Sequence, residues 1–138
     1  MEILSHSPKE TKEFARRIAK KIKPGMTVAL YGELGSGKTT FTRFLIEALG
    51  LSSRVQSPTF VIAKQYIGNK MVVNHIDLYR LTNSDEIEDL GLEEMFEDDS
   101  AINIIEWPEL IEKLLPKDAI NLIFSTEGKG VRRVHVRS

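Results

Sequence analysis

The chain has no cysteine among its 138 residues, which excludes thiolate catalysis, disulfides and cysteine-ligated zinc or iron–sulfur centres. Long apolar runs are missing too, and none approaches the ~18 residues that a membrane-spanning helix requires. The stretch Met1-Glu2-Ile3-Leu4-Ser5-His6-Ser7 lacks the basic and apolar regions of a signal peptide, so export by that route is not expected. Net charge is scarce: 19 Lys and Arg against 20 Asp and Glu leave −1, which argues against a globally basic nucleic-acid binder. The near-neutral total hides an asymmetry. Residues 85–112 hold twelve of the twenty acidic residues and no Lys or Arg, whereas residues 9–23 hold seven basic residues against two acidic ones. The acidic run is either a docking face for a basic partner or solvated helix surface. No internal repeat, low-complexity stretch or long linker divides the chain, so a single domain over 1–138 is expected.

What is present is led by Gly32-Glu33-Leu34-Gly35-Ser36-Gly37-Lys38-Thr39, a glycine, four residues, then Gly-Lys-Thr. This is the pattern of a phosphate-binding P-loop. A loop that aims several backbone amides at one anion needs conformations only glycine adopts cheaply; the lysine adds a charge near the β and γ phosphates, and the threonine hydroxyl serves magnesium. The surroundings agree. Thr27-Val28-Ala29-Leu30-Tyr31 is apolar, β-prone and introduced by Pro24-Gly25, as a buried strand would be. From Lys38 on, Phe41, Phe44, Leu45, Ala48 and Leu49 recur at helical spacing, with Gly50 as the stop. The loop therefore opens at a helix N-terminus, where partial positive charge favours an anion.

Elsewhere Ser7-Pro8-Lys9-Glu10 predicts a helix start with Ser7 as N-cap and Glu10 closing a capping box, followed by an apolar stripe of Phe14, Ala15, Ile18, Ala19 and Ile22. Residues 60–66 and 71–77 flank Gly68-Asn69 as a β-hairpin. A short acidic helix capped by Ser84, a helical turn over 92–96, a buried strand over 101–105, a helix over 108–115 and closing strands over 119–125 and 131–137 complete the pattern. The expected fold class is α/β, a P-loop NTPase domain with a mixed, mainly parallel central sheet containing a β-hairpin and flanked by helices. Ligands of such sheets sit at the carboxyl ends of strands.

A P-loop hydrolase also needs an acidic residue at the end of a neighbouring strand, and two qualify: Asp77 after residues 71–76 and Glu106 after 102–105. Spacing does not decide which meets the metal. His75 projects to the same strand face as Asp77 and could polarise a water or simply pack. Ser57 and Thr59 sit where a switch segment would sense the γ phosphate, or form a Ser-Pro turn. Arg54 and Arg80 could neutralise charge or make surface ion pairs. Trp107, on an extended strand, would point away from Glu106, where it could cover the nucleotide but is expected to anchor the Pro108 helix by packing.

Four blocks in this order, GELGSGKTTFTR at 32–43, SPTF at 57–60, HIDLYRL at 75–81 and IEWPE at 105–109, resemble the TsaE (YjeE) family, with the likeness running from about Thr11 to the last strand. The resemblance implies a cytoplasmic ATPase of tRNA threonylcarbamoyladenosine synthesis that works with TsaB and TsaD, which move a threonylcarbamoyl group from its adenylate onto an adenosine beside the anticodon. It further implies that Gly35, Ser36, Gly37, Lys38, Thr39 and Thr40 bind ATP, that Thr39 and Glu106 hold Mg2+, and that Asp77 serves hydrolysis. Thr11, with Pro8 close by, would lie near the adenine, and one of Lys129, Arg132 and Arg133 would reach the nucleotide.

Two other classes compete. A small-molecule P-loop kinase would carry an arginine-rich lid, which 85–112 lacks. A non-hydrolysing binding module would act through its nucleotide-bound state, and replacing Asp77 while binding persists separates it from an enzyme. No Asn-Lys-x-Asp base-reading motif marks a GTPase, and no Leu-Ser-Gly-Gly run marks an ABC-type ATPase.

Overall fold

A computed structural model describes residues 1–51, 54–56, 63–68, 71–79 and 91–137. In chain order the elements are β1 (Glu2–Ser5), α1 (Pro8–Lys21), β2 (Thr27–Tyr31), α2 (Lys38–Ala48), β3 (Arg54–Gln56), β4 (Ala63–Ile67), β5 (Val72–Asp77), α3 (Leu92–Glu97), β6 (Ala101–Glu106), a 3₁₀ segment (Pro108–Leu114), β7 (Ile120–Thr126) and β8 (Arg132–Arg137). Among the described residues, eight strands join one mixed sheet in the order β1-β8-β7-β2-β6-β5-β4-β3. The four central strands β7, β2, β6 and β5 run parallel, and the antiparallel pairs lie outside them.

The centre is parallel because its strands are apolar on both faces. Ala101–Glu106 is buried at every position, as a strand covered on both sides must be. Alternation then divides the core. On one face Val28, Leu30, Ile104, Leu122 and Phe124 pack with Phe14 and Ile18 of α1 and Phe41 and Leu45 of α2. On the other, Ile76 and Ile105 pack with Leu92 of α3 and Ile111 of the 3₁₀ segment. Phe14, Phe41 and Phe124 stack in series with ring centroids 5.4 Å apart, which locks α1, α2 and β7 together beneath the P-loop.

α1 begins as expected: Ser7 has extended backbone, its hydroxyl accepts from the Glu10 amide at 3.2 Å, and Pro8 opens the helix. The Glu10 carboxylate reaches one residue further back than a capping box does, accepting from the His6 amide at 2.8 Å. β4 and β5 form the predicted hairpin, with the Gly68 amide bonded to the Met71 carbonyl at 2.9 Å. Its first strand is described from Ala63, so residues 60–62 of the expected strand lie outside the described residues, as do the helix capped by Ser84, Ser57, Thr59, Arg80 and the side chain of Arg54. Residues 108–114 wind as 3₁₀ rather than α, with a break at Ile111. Two strands were not anticipated. β1 pairs with β8 and β3 with β4, and both are too short to show a period of their own. Among the described residues, no helix is long and apolar enough to cross a membrane.

Candidate functional site

The P-loop leaves the carboxyl end of β2, between the ends of β7 and β6, and turns into α2. Gly32 has φ 141°, and a Cβ there would lie 2.7 Å from both the Phe124 carbonyl oxygen and Ser36 Oγ, so no larger residue fits. Gly37 caps α2 in the left-handed region, and a Cβ on it would meet Arg132 Nε at 3.4 Å. The Ser36 hydroxyl is buried with no protein hydrogen-bond partner. Inside this cradle Lys38 is only 4% exposed and donates to the Gly32 carbonyl. Burial pulls its pKa below the usual lysine range, while the charges of Glu106, Glu109 and Asp77 push the other way.

β5 and β6 run side by side in register, which sets Asp77 directly opposite Glu106 on the face shared with His75. Their environments differ. Glu106 is 2% exposed; its Oε1 accepts from Thr39 Oγ1 at 3.1 Å and its Oε2 is bonded to His75 Nε2 at 2.6 Å. Burial alone would raise this carboxyl, but the bonds from His75 and Thr39 and the Lys38 charge outweigh it and hold the carboxyl below its ordinary range. Asp77 is half-buried and uses Oδ1 to accept from the Tyr79 amide at 3.0 Å. The structure therefore brings Glu106 to the P-loop threonine and leaves Asp77 at the cavity wall.

Trp107 departs from the extended course expected of it. Its backbone is left-handed (φ 59°, ψ 57°), and this turn carries the indole back over the loop, with Lys38 Nζ 3.5 Å from the ring centroid and Tyr79 stacked at 5.0 Å. The ring also packs on the Ile76–Ile105–Ile111 cluster, so it both anchors and covers.

These groups enclose a cavity of about 280 Å³ lined by Gly35, Lys38, Thr39, Asp77, Glu106 and Trp107, among others. A second cavity of about 330 Å³ adjoins it, lined by Ser7, Pro8, Thr11, Ser36, Gly37, Thr40, Phe124 and Arg132 among others. The Thr11 hydroxyl is fixed at 2.6 Å from Ser5 Oγ, so the β1–α1 corner shapes this wall. Of the three basic candidates, Arg132 lines both cavities. Arg133, on the opposite face of β8, is engaged by Glu2 and Glu127 at 2.5 Å each. Lys129 sits in the tight turn between Gly128 and Gly130, at neither cavity.

Ser5, Phe124 and Tyr79 are site residues that local sequence signals did not single out. The first two could have been found only through the β1–β8–β7 pairing. Chemically, the arrangement presents a backbone cradle, one buried cation, and a hydroxyl–carboxylate pair at a helix N-terminus. Among the described residues no cluster of three or more His, Asp or Glu stands ready to hold a metal alone.

Comparison with known proteins identifies the family. Residues 5–134 match the family described as threonylcarbamoyl adenosine biosynthesis protein TsaE. The chain is similar to the tRNA threonylcarbamoyladenosine biosynthesis protein TsaE of Bacillus subtilis, 41% identical over 93% of this chain and 79% of that one. It is likewise 43% identical to the Streptomyces coelicolor protein of the same name, over 80% of this chain and 76% of that one. The crystal structure of Bacillus subtilis YdiB superposes with a TM-score of 0.76 at 31% identity, covering 97% of this chain and 82% of that one. With the match spanning nearly its whole length, the chain belongs to the TsaE family of tRNA threonylcarbamoyladenosine biosynthesis proteins.

Proposed function

We propose that this protein is a cytoplasmic, ATP-hydrolysing accessory factor that acts with TsaB and TsaD when the threonylcarbamoyl group is transferred to the adenosine next to the anticodon, meeting tRNA through that complex. The family fixes the pathway, and the observation that carries the hydrolytic reading is the hydrogen bond from Thr39 to Glu106 at the mouth of the P-loop. A threonine that gives its proton to a carboxylate leaves its oxygen lone pairs free for a cation.

The residues fit a Mg2+-nucleotide. Gly32 lets the loop seat against Phe124 of β7 where a Cβ would clash, the unpartnered Ser36 hydroxyl offers a buried donor, and the hard oxygen donors of Thr39 and Glu106 suit magnesium, which takes further oxygens from phosphate and water. When bound there, the ion would neutralise charge developing on the β and γ phosphates. The chain's own part follows from its geometry. The loop amides at the α2 N-terminus cradle the phosphates, and Lys38 adds a localised positive charge. Bringing phosphate beside Lys38 favours its charged form, reversing the effect of burial. Asp77, at the cavity wall, orients the attacking water and takes its proton. Pro8, Thr11 and Thr40 in the second cavity hold the nucleoside, and Arg132 between the cavities faces the phosphate chain.

Reconstitution of ATP hydrolysis with TsaB, TsaD and tRNA tests this reading. Turnover alone should be slow and rise with the partners. K38A and E106A should lose Mg2+-dependent nucleotide binding, whereas D77A should keep binding and lose hydrolysis. Equal rates with and without the partners would contradict the accessory role, and retained tRNA modification by D77A would favour a non-hydrolysing module.

A further inference from the structure

We infer that His75 is a positioning residue for the cation site: it acts through Glu106, fixing the carboxylate so that Thr39 and Glu106 meet Mg2+ in one geometry. This rests on the nucleotide-hydrolysing reading above and deepens it.

Glu106 is held at both oxygens by different elements. Thr39 at the start of α2 bonds Oε1, and His75 on β5 bonds Oε2. The second bond is the shorter, 2.6 Å against 3.1 Å. An ionised carboxylate only accepts, so His75 carries its proton on Nε2 in this contact. His75 is 9% exposed and Glu106 2%, so water does not readily replace the bond. The sequence leaves His75 either to polarise a water or to pack; the structure turns it sideways along the sheet, onto the neighbouring strand's carboxylate. Because the β5–β6 register pairs His75 with Ile104 and Asp77 with Glu106, the imidazole reaches Glu106 from one rung below, and Asp77 remains unencumbered by it. One strand thus supplies both the group that steadies the carboxylate and, two residues on, the carboxylate assigned to water.

Without His75, Glu106 would keep its bond to Thr39 but have a buried oxygen lacking a donor. Such a group rotates in search of another donor, and that spoils the acceptor that frees the Thr39 lone pairs. Groups that orient metal ligands in this way are worth about 10–100-fold in metal affinity.

The test measures ADP affinity of the full-length protein by calorimetry, with Mg2+ and with EDTA, for wild type, H75L, H75N and H75Q. H75L removes the donor, and H75N withdraws it from Oε2 while keeping a buried polar side chain in case the leucine variant does not fold. H75Q returns an N–H close to the position of Nε2. The expected result is roughly a tenfold loss of affinity in Mg2+ for H75L and H75N, little change in EDTA, and recovery by H75Q. In an E106Q background, H75N should add no further loss. If H75L or H75N retains the wild-type ratio of Mg2+ to EDTA affinities, or loses affinity equally in both, His75 is structural packing and the inference is overturned. A wild-type protein whose ADP affinity ignores Mg2+ would instead overturn the nucleotide-hydrolysing reading on which this rests.

Discussion

Two glycines of the same loop place different demands on a side chain. Gly32 combines φ 141° with a Cβ position 2.7 Å from a backbone carbonyl oxygen, whereas Gly35 has φ 79° and open space around it. Alanine at Gly35 meets only the backbone preference, about 1 kcal/mol. At Gly32 the clash is with main chain that cannot swing aside, so G32A should cost at least ~1 kcal/mol more than G35A in urea unfolding. Equal costs would mean the loop relaxes freely and the cradle is not fixed by β7. Glu106 supplies a pH prediction. Its carboxyl titrates lower in the folded protein than the ordinary 4.5, burial notwithstanding, because His75 and Thr39 bond its ionised form. A depressed carboxyl stabilises the fold above its unfolded pKa, and that contribution is lost as pH falls through the folded value. E106Q should therefore flatten the acid limb of stability below about pH 4.5, read from denaturant melts across the acid range, and an unchanged slope would show that other carboxylates carry it.

At the level of elements, α1 links helix capping to ligand binding. The Ser7 hydroxyl caps the helix, and the residues it orders, Pro8 and Thr11, wall the second cavity. S7A should cost about 1 kcal/mol in unfolding and also weaken nucleotide binding, because the frayed turn is part of the pocket. A stability loss with unchanged ADP affinity would separate α1 from the site. This start was legible in Ser7-Pro8-Lys9-Glu10 because capping is local chemistry. The P-loop helix was legible for the same reason, and so were the hairpin and β6, whose apolar runs carry their own period. β1 was not: of its four residues only Ile3 and Ser5 turn inward, and it is a strand because β8, over 120 residues on, pairs with it. Trp107 escaped in another way, since a left-handed residue after a strand reverses the face that alternation assigns. Asp77 and Glu106 were both visible as strand ends, yet only the parallel register and the two bonds to Glu106 distinguish their surroundings.

For the molecule as a whole, the sheet divides charge as well as core. α1, with Lys20 and Lys21 exposed in its last turn, packs on the face carrying the P-loop helix. α3, with Glu93 and Glu94 exposed in its first turn and Glu97, Asp98 and Asp99 following, packs on the other. A net charge of −1 therefore describes a dipolar object rather than a neutral one. Such a molecule is oriented by a charged partner before contact, and the effect is felt over roughly 10 Å at 0.1 M salt. If the acidic face meets the TsaB–TsaD pair, E93K/E94K should slow association several-fold at low salt, and the deficit should shrink as salt is added while dissociation changes little. The substitutions sit on exposed helix surface opposite the P-loop face, so ADP affinity should stay at the wild-type value and serve as the internal control. Association rates that match wild type at low salt would assign the acidic face to solvent, leaving the partners to dock on the P-loop side, where Leu34 (67% exposed) and Tyr79 (48% exposed) offer apolar contact at the cavity rim.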